Sequence, residues 1–470
     1  MNAMYLHRKI DDFLKAWKKN KNRLPLIVRG AMQVGKTTSV LRFAKANYSN
    51  VIYIDFASDK YRHILSNGFD VDSIVKAITF INPEFCFQPS NIILVFDNVQ
   101  YCPDILTSLK SFKFDGRYDV VCIGTIYSSC YAAISSISVG YKQDVILHSL
   151  DFEEFLWSKG YSKTIACDLL NHLVSIKPFT NDLLLVFNQL FYEFCLLGGR
   201  PSAVVAFLKT NSINTAIDLQ IKILQAFENE CFKFSGTIDP TKLVSVYSSV
   251  PIQLSKTNKK FQYRVLNKNA RARDYQTSVD WLLSSLMFCK SESLQYLELP
   301  LKGNTDPSKF KLYYSDTSLL MSSFDEESKT RFRVNRDFSI KNGALVENIV
   351  AEALFKQNLN LYYFKKENST LNVDFLLRTQ NELVPVDVKV VNKNSKVLST
   401  LVGLNSGYTD IKRAIKIGSS NIDFKNNIHY IPLFCSFSNK RLFSYLKVKK
   451  ICINTNGIQM LFISKICVKI

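Results

Sequence analysis

Two hydrophobic patterns alternate over the first 150 residues. Short, mostly apolar runs are typical of strands that are buried on both faces. Between these runs, apolar residues recur at helical spacing, as Val40, Phe43 and Ala44 do. Strands that alternate with helices predict a parallel α/β sheet, with ligands bound at the carboxyl ends of its strands. The apolar runs lie at residues 26–28, 51–56, 92–96 and 120–123.

An amphipathic, basic segment precedes this region. Ile10, Phe13, Leu14 and Trp17 lie on one face of a predicted helix. We expect this helix to pack beside the α/β core, and a helix lying on a membrane surface is the alternative.

The pattern changes three times in the rest of the chain. Residues 152–232 are rich in Leu and Phe at helical spacing. Residues 235–325 form shorter elements, including a predicted helix over 275–287, and fit a helix-turn-helix or winged-helix element. From residue 335 the pattern predicts a helix over 343–357 and then strands. These strands are expected at residues 361–364, 373–377 and 384–390.

The first apolar run leads into a glycine-rich loop of the form G-x-x-x-x-G-K-[ST]. This spacing is typical of a phosphate-binding loop, in which backbone N–H groups point at phosphate oxygens. Lys36 would supply a positive charge to the β- and γ-phosphates, and the Thr37 hydroxyl would bind Mg²⁺. A plain glycine turn is the alternative, but a strand before the loop and a helix after it favour nucleotide binding. The predicted nucleotide-binding residues of the loop are Gly30, Gln33, Val34, Gly35, Lys36, Thr37 and Thr38.

Two further strand ends offer polar groups to the same nucleotide. Asp97 ends an apolar run and is the candidate Walker B aspartate, which holds Mg²⁺. The next residue in most such ATPases is a glutamate that orients the attacking water, but here it is Asn98, and an amide cannot accept a proton in that way. We therefore expect ATP to bind and to be hydrolysed slowly or not at all. Thr125 is a candidate γ-phosphate sensor, with a simple strand-end turn as the alternative.

The C-terminal third carries carboxylates in an order that suits metal-dependent nucleases. Asp387 and Lys389 lie two residues apart, so a strand presents them on one face. Asp374 on the preceding strand could share Mg²⁺ with Asp387, and Lys389 would lie near the attacking water or the phosphate. Glu347 on the preceding helix could complete the metal shell. These four residues are the candidate catalytic set. The alternatives are a solvated charged strand face and a fold kept without activity.

Charge and composition narrow the choice of partners. The 470 residues carry a net charge of +20, which favours DNA or another polyanion as a partner. Seven basic residues and no acid fall within 256–273, although a basic, solvated surface would look the same. The 11 cysteines include no C-x-x-C pair, which argues against a zinc site or a disulfide framework. No run approaches 18 apolar residues, so we predict no transmembrane segment and a cytoplasmic protein.

Taken together, these motifs resemble a bacterial and archaeal group of AAA-type ATP-binding proteins that carry a C-terminal domain of unknown function 4143. The resemblance implies a P-loop AAA-type ATPase core (residues 1–155), a helical lid (156–234), a winged-helix-like segment (235–330) and a restriction-nuclease-like α/β domain (331–470). It also implies that Pro201 touches the base and that Arg200 senses phosphate. The motifs that carry it are at residues 29–38, 96–103, 152–156, 198–201, 270–275, 310–314, 346–348, 373–375 and 385–389.

The chain departs from this family at three positions of the ATPase. Met32 replaces a usual arginine, Asn98 replaces the catalytic glutamate, and Tyr141 replaces a usual basic residue. We therefore predict an ATP- and Mg²⁺-binding nucleotide switch with impaired hydrolysis, acting on a DNA-associated, nuclease-like domain. The alternatives are an active ATPase with an inert C-terminal binding module, and a non-enzymatic scaffold in which both sites have decayed. The sequence leaves the oligomeric state open, a homo-oligomer included.

Overall fold

The computed structural model divides into two compact units. The first unit comprises Met1–Leu150, Gly198–Ser248 and Leu266–Phe288, and the second comprises Asp151–Leu197, Ser249–Val265 and Cys289–Ile470. The chain thus passes between the units several times, whereas the four predicted domains are consecutive segments. The structure describes residues 4–87, 91–128, 140–301, 303–336, 338–379, 382–389, 395–403 and 406–438.

Helices and strands occur throughout the described residues. The helices are α1 (Lys9–Lys19), α2 (Lys36–Asn47), α3 (Val71–Ile81), α4 (Leu109–Asp115), α5 (Phe152–Ser158), α6 (Ile165–Ser175), α7 (Asn181–Leu197), α8 (Pro201–Thr210), α9 (Ile213–Lys233), α10 (Pro240–Leu254), α11 (Ala272–Ser284), α12 (Thr317–Ser322), α13 (Glu326–Asn335), α14 (Ile340–Lys356) and α15 (Lys396–Val402). The strands are β1 (Leu26–Arg29), β2 (Asn50–Asp55), β3 (Ile92–Asp97), β4 (Asp119–Gly124), β5 (Gln143–Ile146), β6 (Phe288–Leu294), β7 (Thr305–Tyr314), β8 (Leu361–Lys365), β9 (Asn372–Arg378), β10 (Leu383–Val388), β11 (Ala414–Gly418), β12 (Asp423–Lys425) and β13 (Ile428–Pro432).

The first unit contains a parallel sheet in the order β2-β3-β4-β1-β5. Parallel neighbours need long crossover connections, and α2, α3 and α4 follow β1, β2 and β3 along the chain. The carboxyl ends of all five strands therefore meet at one edge of the sheet. This arrangement confirms the predicted parallel α/β sheet and brings the phosphate loop and Asp97 to the same edge.

Burial explains why the central strand β3 is apolar on both faces. Every residue of β3 is buried, as expected for a central strand of a parallel sheet. Phe96 on β3 stacks on Phe56 at a ring-centroid distance of 5.9 Å and lies 6.0 Å from the ring of Phe112 on α4. Such aromatic contacts fix the packing of a helix on the sheet.

Helix α1 packs against the α/β core, as its apolar face predicts. Ile10, Leu14 and Trp17 are buried, while Phe13 is only partly so. The Trp17 ring meets Phe43 of α2 edge to face at 6.4 Å. The first described helix thus covers the helix that begins at the phosphate loop.

The second unit contains an eight-stranded mixed sheet in the order β12-β13-β11-β10-β9-β8-β6-β7. The strands predicted near residues 361, 373 and 384 are present as β8, β9 and β10, and α14 contacts β7, β8 and β10. Strand β10 ends at Val388, and residue 390 lies outside the described residues, as do the residues from 439 onward. The sequence places β6 and β7 in a separate segment, but both strands join this sheet, where Ser291 of β6 pairs with Leu361 of β8.

Within the described chain, no single helix is both long enough and apolar enough to cross a membrane. Only α7 and α8 taken together pass the test of length and composition, as a broken pair.

Candidate functional site

The phosphate loop joins β1 to α2 at the carboxyl edge of the parallel sheet. Gly35 caps α2 in the left-handed region (φ 91°), which glycine adopts without strain. The Lys36 Nζ donates to the carbonyl oxygens of Gly30 at 2.8 Å and Ala31 at 2.7 Å. Gln33 is exposed and Val34 is buried. The lysine is therefore folded back on its own loop, at the position from which it could reach a phosphate.

The environment of Lys36 weakens its hold on a proton. Burial lowers the pKa of Lys36 to about 8, and the charges of Glu230 and Asp97 oppose that shift while Arg200 adds to it. This ammonium group has lost part of its hydration by burial. Phosphate oxygens would replace the missing solvation, so the site suits a polyanion.

Thr37 and Asp97, the two residues predicted to bind Mg²⁺ in this loop, are in contact. The Thr37 hydroxyl donates to Asp97 Oδ2 at 2.6 Å, and the Tyr53 hydroxyl donates to the same oxygen at 2.9 Å. A hydroxyl and a carboxylate in contact are the oxygen ligands that Mg²⁺ takes in P-loop proteins, where nucleotide phosphates supply further ligands. The residues present thus fit Mg²⁺. Thr38, next in α2, is exposed.

Asn98 makes a hydrogen bond that the sequence did not indicate. Its backbone lies in the left-handed region (φ 55°, ψ 44°), which Asn adopts more readily than most residues. Its amide Nδ2 donates to Asp55 Oδ1 at 2.8 Å, and its Oδ1 accepts from Gln100 Nε2 at 3.2 Å. The amide is therefore held against a carboxylate of the neighbouring strand end.

The end of β4 contacts the phosphate loop directly. The Thr125 hydroxyl donates to the Gly30 carbonyl at 3.1 Å, so Thr125 and Lys36 share one acceptor. Two residues on, the Tyr127 hydroxyl donates to Glu230 Oε2 at 2.6 Å. Burial raises the pKa of Glu230, although its bond from Tyr127 and the charge of Lys36 act against the rise.

The Gly-Gly-Arg-Pro motif also meets the loop. Arg200 is fully buried and donates from Nη1 to the Met32 carbonyl, while its Nη2 lies 3.1 Å from the Met287 sulfur. Pro201 packs on Gly35, since a Cβ added to that glycine would lie 3.3 Å from Pro201 Cγ. Arg200 therefore contacts the backbone of the phosphate loop, and the phosphate-sensing role that the resemblance implies stays a prediction.

Sequence reasoning missed another arginine at this loop. Arg8 is buried and donates to the carbonyls of Val34 at 3.0 Å and His148 at 2.7 Å. It precedes α1, far from any phosphate-binding motif, so no local signal marked it. Tyr141 lies elsewhere in the unit, with its ring 5.4 Å from that of Phe114.

The second unit places the predicted nuclease residues on helix α14, on the paired strands β9 and β10, and directly after β10. Glu347 on α14 is buried, and its carboxylate accepts from Lys311 at 2.7 Å and from the Tyr313 hydroxyl, and pairs with Lys259 at 2.8 Å. Burial alone would raise the pKa of Glu347, but the charges of the two lysines outweigh it and lower the pKa. Both oxygens are thus engaged by protein groups, which differs from the open metal ligand expected from the sequence.

Asp374 and Asp387 lie on the paired strands β9 and β10. Asp374 Oδ2 accepts from the Val388 amide at 2.9 Å, and Asp387 Oδ2 lies 3.2 Å from Lys389 Nζ. Burial, followed by the charge of Glu347, raises the pKa of Asp374. No group of three or more His, Cys, Asp or Glu side chains is arranged to hold a metal ion within the described parts of the chain.

Three protein families match successive parts of the sequence. Residues 22–156 match the AAA domain, residues 188–330 match domain of unknown function DUF8612, and residues 342–435 match domain of unknown function DUF4143. The second match extends across the predicted boundary between the lid and the winged-helix-like segment. A search among curated proteins gives no match.

Solved structures show weak likeness to the chain. The ORC1 protein of Aeropyrum pernix in complex with DNA is 10% identical, with a TM-score of 0.30 and coverage of 70% of this chain and 95% of that one. The ORC2 protein of Aeropyrum pernix (ADP form) is 13% identical, with a TM-score of 0.29 and coverage of 66% and 90%.

The Pif1 helicase of Candida albicans is 16% identical, with a TM-score of 0.23, and the match covers 41% of this chain but only 48% of the helicase.

The assignment of the chain to a family rests on the family matches and on the parallel sheet. The chain combines an AAA domain at residues 22–156 with domain of unknown function 4143 at residues 342–435, which confirms the AAA-type ATP-binding resemblance predicted from its motifs.

Proposed function

We propose that this chain binds ATP with Mg²⁺, hydrolyses it slowly, and uses it as a switch for a DNA-associated, nuclease-like C-terminal region. The contact between Thr37 and Asp97, beside the Lys36 ammonium group, is the observation that carries the ATP-binding part. A hydroxyl, a carboxylate and a cation are the groups with which a P-loop protein binds Mg²⁺ and phosphate, and their proximity supports the proposal.

Slow hydrolysis follows from the chemistry at position 98. A carboxylate that polarises the attacking water contributes about 10²–10⁴-fold to a rate. Asn98 has no basic oxygen of that kind, and its amide donates to Asp55. Binding depends on other groups and is retained.

The first experiment measures ATP affinity in the Lys36→Ala variant. We expect the Kd for Mg²⁺-ATP to rise about 100-fold, because the γ- and β-phosphates lose a charge-assisted partner in a buried site. Isothermal titration with the wild-type chain and the variant tests this. Lys45→Ala is the matched control, since Lys45 is an exposed lysine of the same helix.

The same titrations separate the competing functions. Equal affinity in Lys36→Ala and wild type would contradict nucleotide binding at this loop. Rapid turnover by the wild-type chain would favour an active ATPase with an inert C-terminal module. A wild-type chain that binds neither ATP nor DNA would be a scaffold.

A second candidate function is Mg²⁺-dependent DNA cleavage in the second unit. The pairing of β9 with β10, which carry Asp374 and Asp387, favours it, as does the position of Lys389 beside Asp387. Exposed basic side chains of the 256–273 segment, such as Lys256 and Arg264, would supply salt-dependent phosphate contacts.

Asp374→Asn should abolish nicking of supercoiled plasmid in Mg²⁺ while ATP affinity is unchanged. The amide keeps the shape of the side chain but removes the negative charge that a metal ion needs. Agarose gels of nicked and supercoiled DNA give the measurement, with the partly exposed Asp423→Asn as control, since the Asp423 carboxylate pairs with the exposed Lys425 at 2.5 Å. Nicking that persists in Asp374→Asn would place the activity elsewhere.

A further inference from the structure

The carboxyl edge of the parallel sheet holds a carboxylate that the predicted ATPase site does not use. Strands β2 and β3 run parallel, and Asp55 pairs with Asp97 at their last residues. Asp97 is engaged by Thr37 and Tyr53. Asp55 therefore lies one strand away from the metal-binding aspartate, at the edge where ligands of such sheets bind.

The contacts of Asp55 leave one of its oxygens available. Its Oδ1 accepts from the Ala57 amide at 2.9 Å and from Asn98 Nδ2 at 2.8 Å. Its Oδ2 has no hydrogen-bond partner among the residues that the structure describes, and the side chain is only partly buried. A carboxylate held at one oxygen and open at the other can accept a hydrogen bond from a water molecule.

The Asn98 amide is oriented by the same network. Gln100 donates to its Oδ1 at 3.2 Å, which turns Nδ2 toward Asp55. The Asp55 carboxylate at the end of β2 thus faces the Asn98 amide, which directly follows β3. The acid is on β2, one strand away from the position at which an ATPase of this type usually carries its glutamate.

We propose that Asp55, one strand away from the usual glutamate position, supplies the carboxylate that positions and deprotonates the attacking water in this slow ATP hydrolysis, and that Asn98 holds Asp55 in place. Its contribution is expected at the lower end of the range for a general base, so hydrolysis stays slow. This inference rests on the proposed ATP-binding function. The water oxygen attacks the γ-phosphorus, the bond from that phosphorus to the bridging oxygen breaks, and its electron pair stays on ADP. The proton released by the water passes to Asp55 Oδ2 and then to solvent, so ATP and water give ADP, phosphate and one proton.

Glu230 is the competing carboxylate at this edge. It accepts from Tyr127 at 2.6 Å, and its charge acts on Lys36. Each of the two carboxylates has one oxygen engaged by described residues, but Asp55 is bonded directly to Asn98, the residue that follows Asp97. The geometry therefore favours Asp55, and the experiment includes Glu230→Gln to separate the two.

The test measures single-turnover hydrolysis and, separately, the affinity for a non-hydrolysable ATP analogue. We expect Asp55→Asn to lower the turnover rate about 100-fold, the size of a general-base contribution, while the Kd of the analogue stays within twofold. The asparagine can still accept from Ala57 and Asn98, so the fold is kept. Asp59→Asn is the matched control, because Asp59 is exposed and pairs with Arg62.

An exchange variant gives a second, independent readout. Asp55→Asn combined with Asn98→Glu restores an acid–amide pair with its members exchanged. We expect this double variant to turn over ATP at least tenfold faster than Asp55→Asn alone. Three outcomes would each overturn the inference. The first is unchanged turnover in Asp55→Asn, and the second is loss of turnover in Glu230→Gln alone. The third is a wild-type chain that binds the analogue but shows no turnover. A wild-type chain that does not bind the analogue would instead overturn the proposed function, and the inference with it.

Discussion

Replacing Glu347 with alanine should lower the free energy of unfolding by about 3–5 kcal/mol, the cost of leaving buried charges without their partner. Its carboxylate pairs with Lys311 and Lys259, both of which are largely buried. Without Glu347, two ammonium groups would face each other inside the second unit. Urea denaturation of the full chain, followed by circular dichroism, gives the measurement.

Glu367→Ala is the matched control for this prediction. Glu367 also pairs with a lysine, Lys309 at 3.0 Å, but at the exposed surface, where such pairs add little. We expect no measurable change for this variant. A Glu347→Ala protein as stable as the control would mean that Lys311 and Lys259 find other partners, and the ion-pair network would not be a stabilising element.

Replacing Gly30 with alanine should destabilise the first unit by about 3 kcal/mol, at the upper end for overpacking, and abolish ATP binding. A Cβ at this position would lie closer than 3.0 Å to the Leu147 carbonyl oxygen, a distance that real Cβ atoms essentially never show. That carbonyl belongs to backbone held by the bond from the Leu147 amide to the Arg29 carbonyl at 2.7 Å. It cannot move without breaking the β1–β5 pairing.

Thermal unfolding and ATP titration of the Gly30→Ala protein test this expectation. Gly116→Ala serves for comparison, because a Cβ there meets nothing within 4 Å and only the positive φ of 71° opposes it. That strain costs about 1–2 kcal/mol. An alanine at position 30 that leaves both stability and affinity intact would show that the loop can shift away from β5.

The parts of the site that the sequence predicted are local in the chain. The loop from Gly30 to Thr37 is a contiguous motif, and Asp97 ends an apolar run, so spacing alone located both. The contact between Asn98 and Asp55 joins residues 43 positions apart. Its prediction would have needed the register of β2 on β3, which the apolar runs of these two strands do not encode.

The second unit shows the same limit. The order of helix and strands around Glu347, Asp374 and Asp387 was visible in the hydrophobic pattern. The ion pair between Glu347 and Lys259 was not visible in that pattern. In the sequence, Lys259 is one of seven basic residues in the 256–273 segment, and nothing distinguishes it from a solvated lysine. Burial of an ion pair is a tertiary property, and composition suggested only a basic surface.

One aromatic stack gives the first unit a built-in optical probe. The indole of Trp281 lies face to face on the Tyr127 ring, at 4.4 Å and an interplanar angle of 4°. Tyr127 in turn holds Glu230, whose charge acts on Lys36. Trp281 is one of only three tryptophans in the chain, and its fluorescence is thereby coupled to the charges around the phosphate loop. A nucleotide that moves Lys36 toward its phosphates would therefore change the emission of Trp281, and no added label is needed to measure that change.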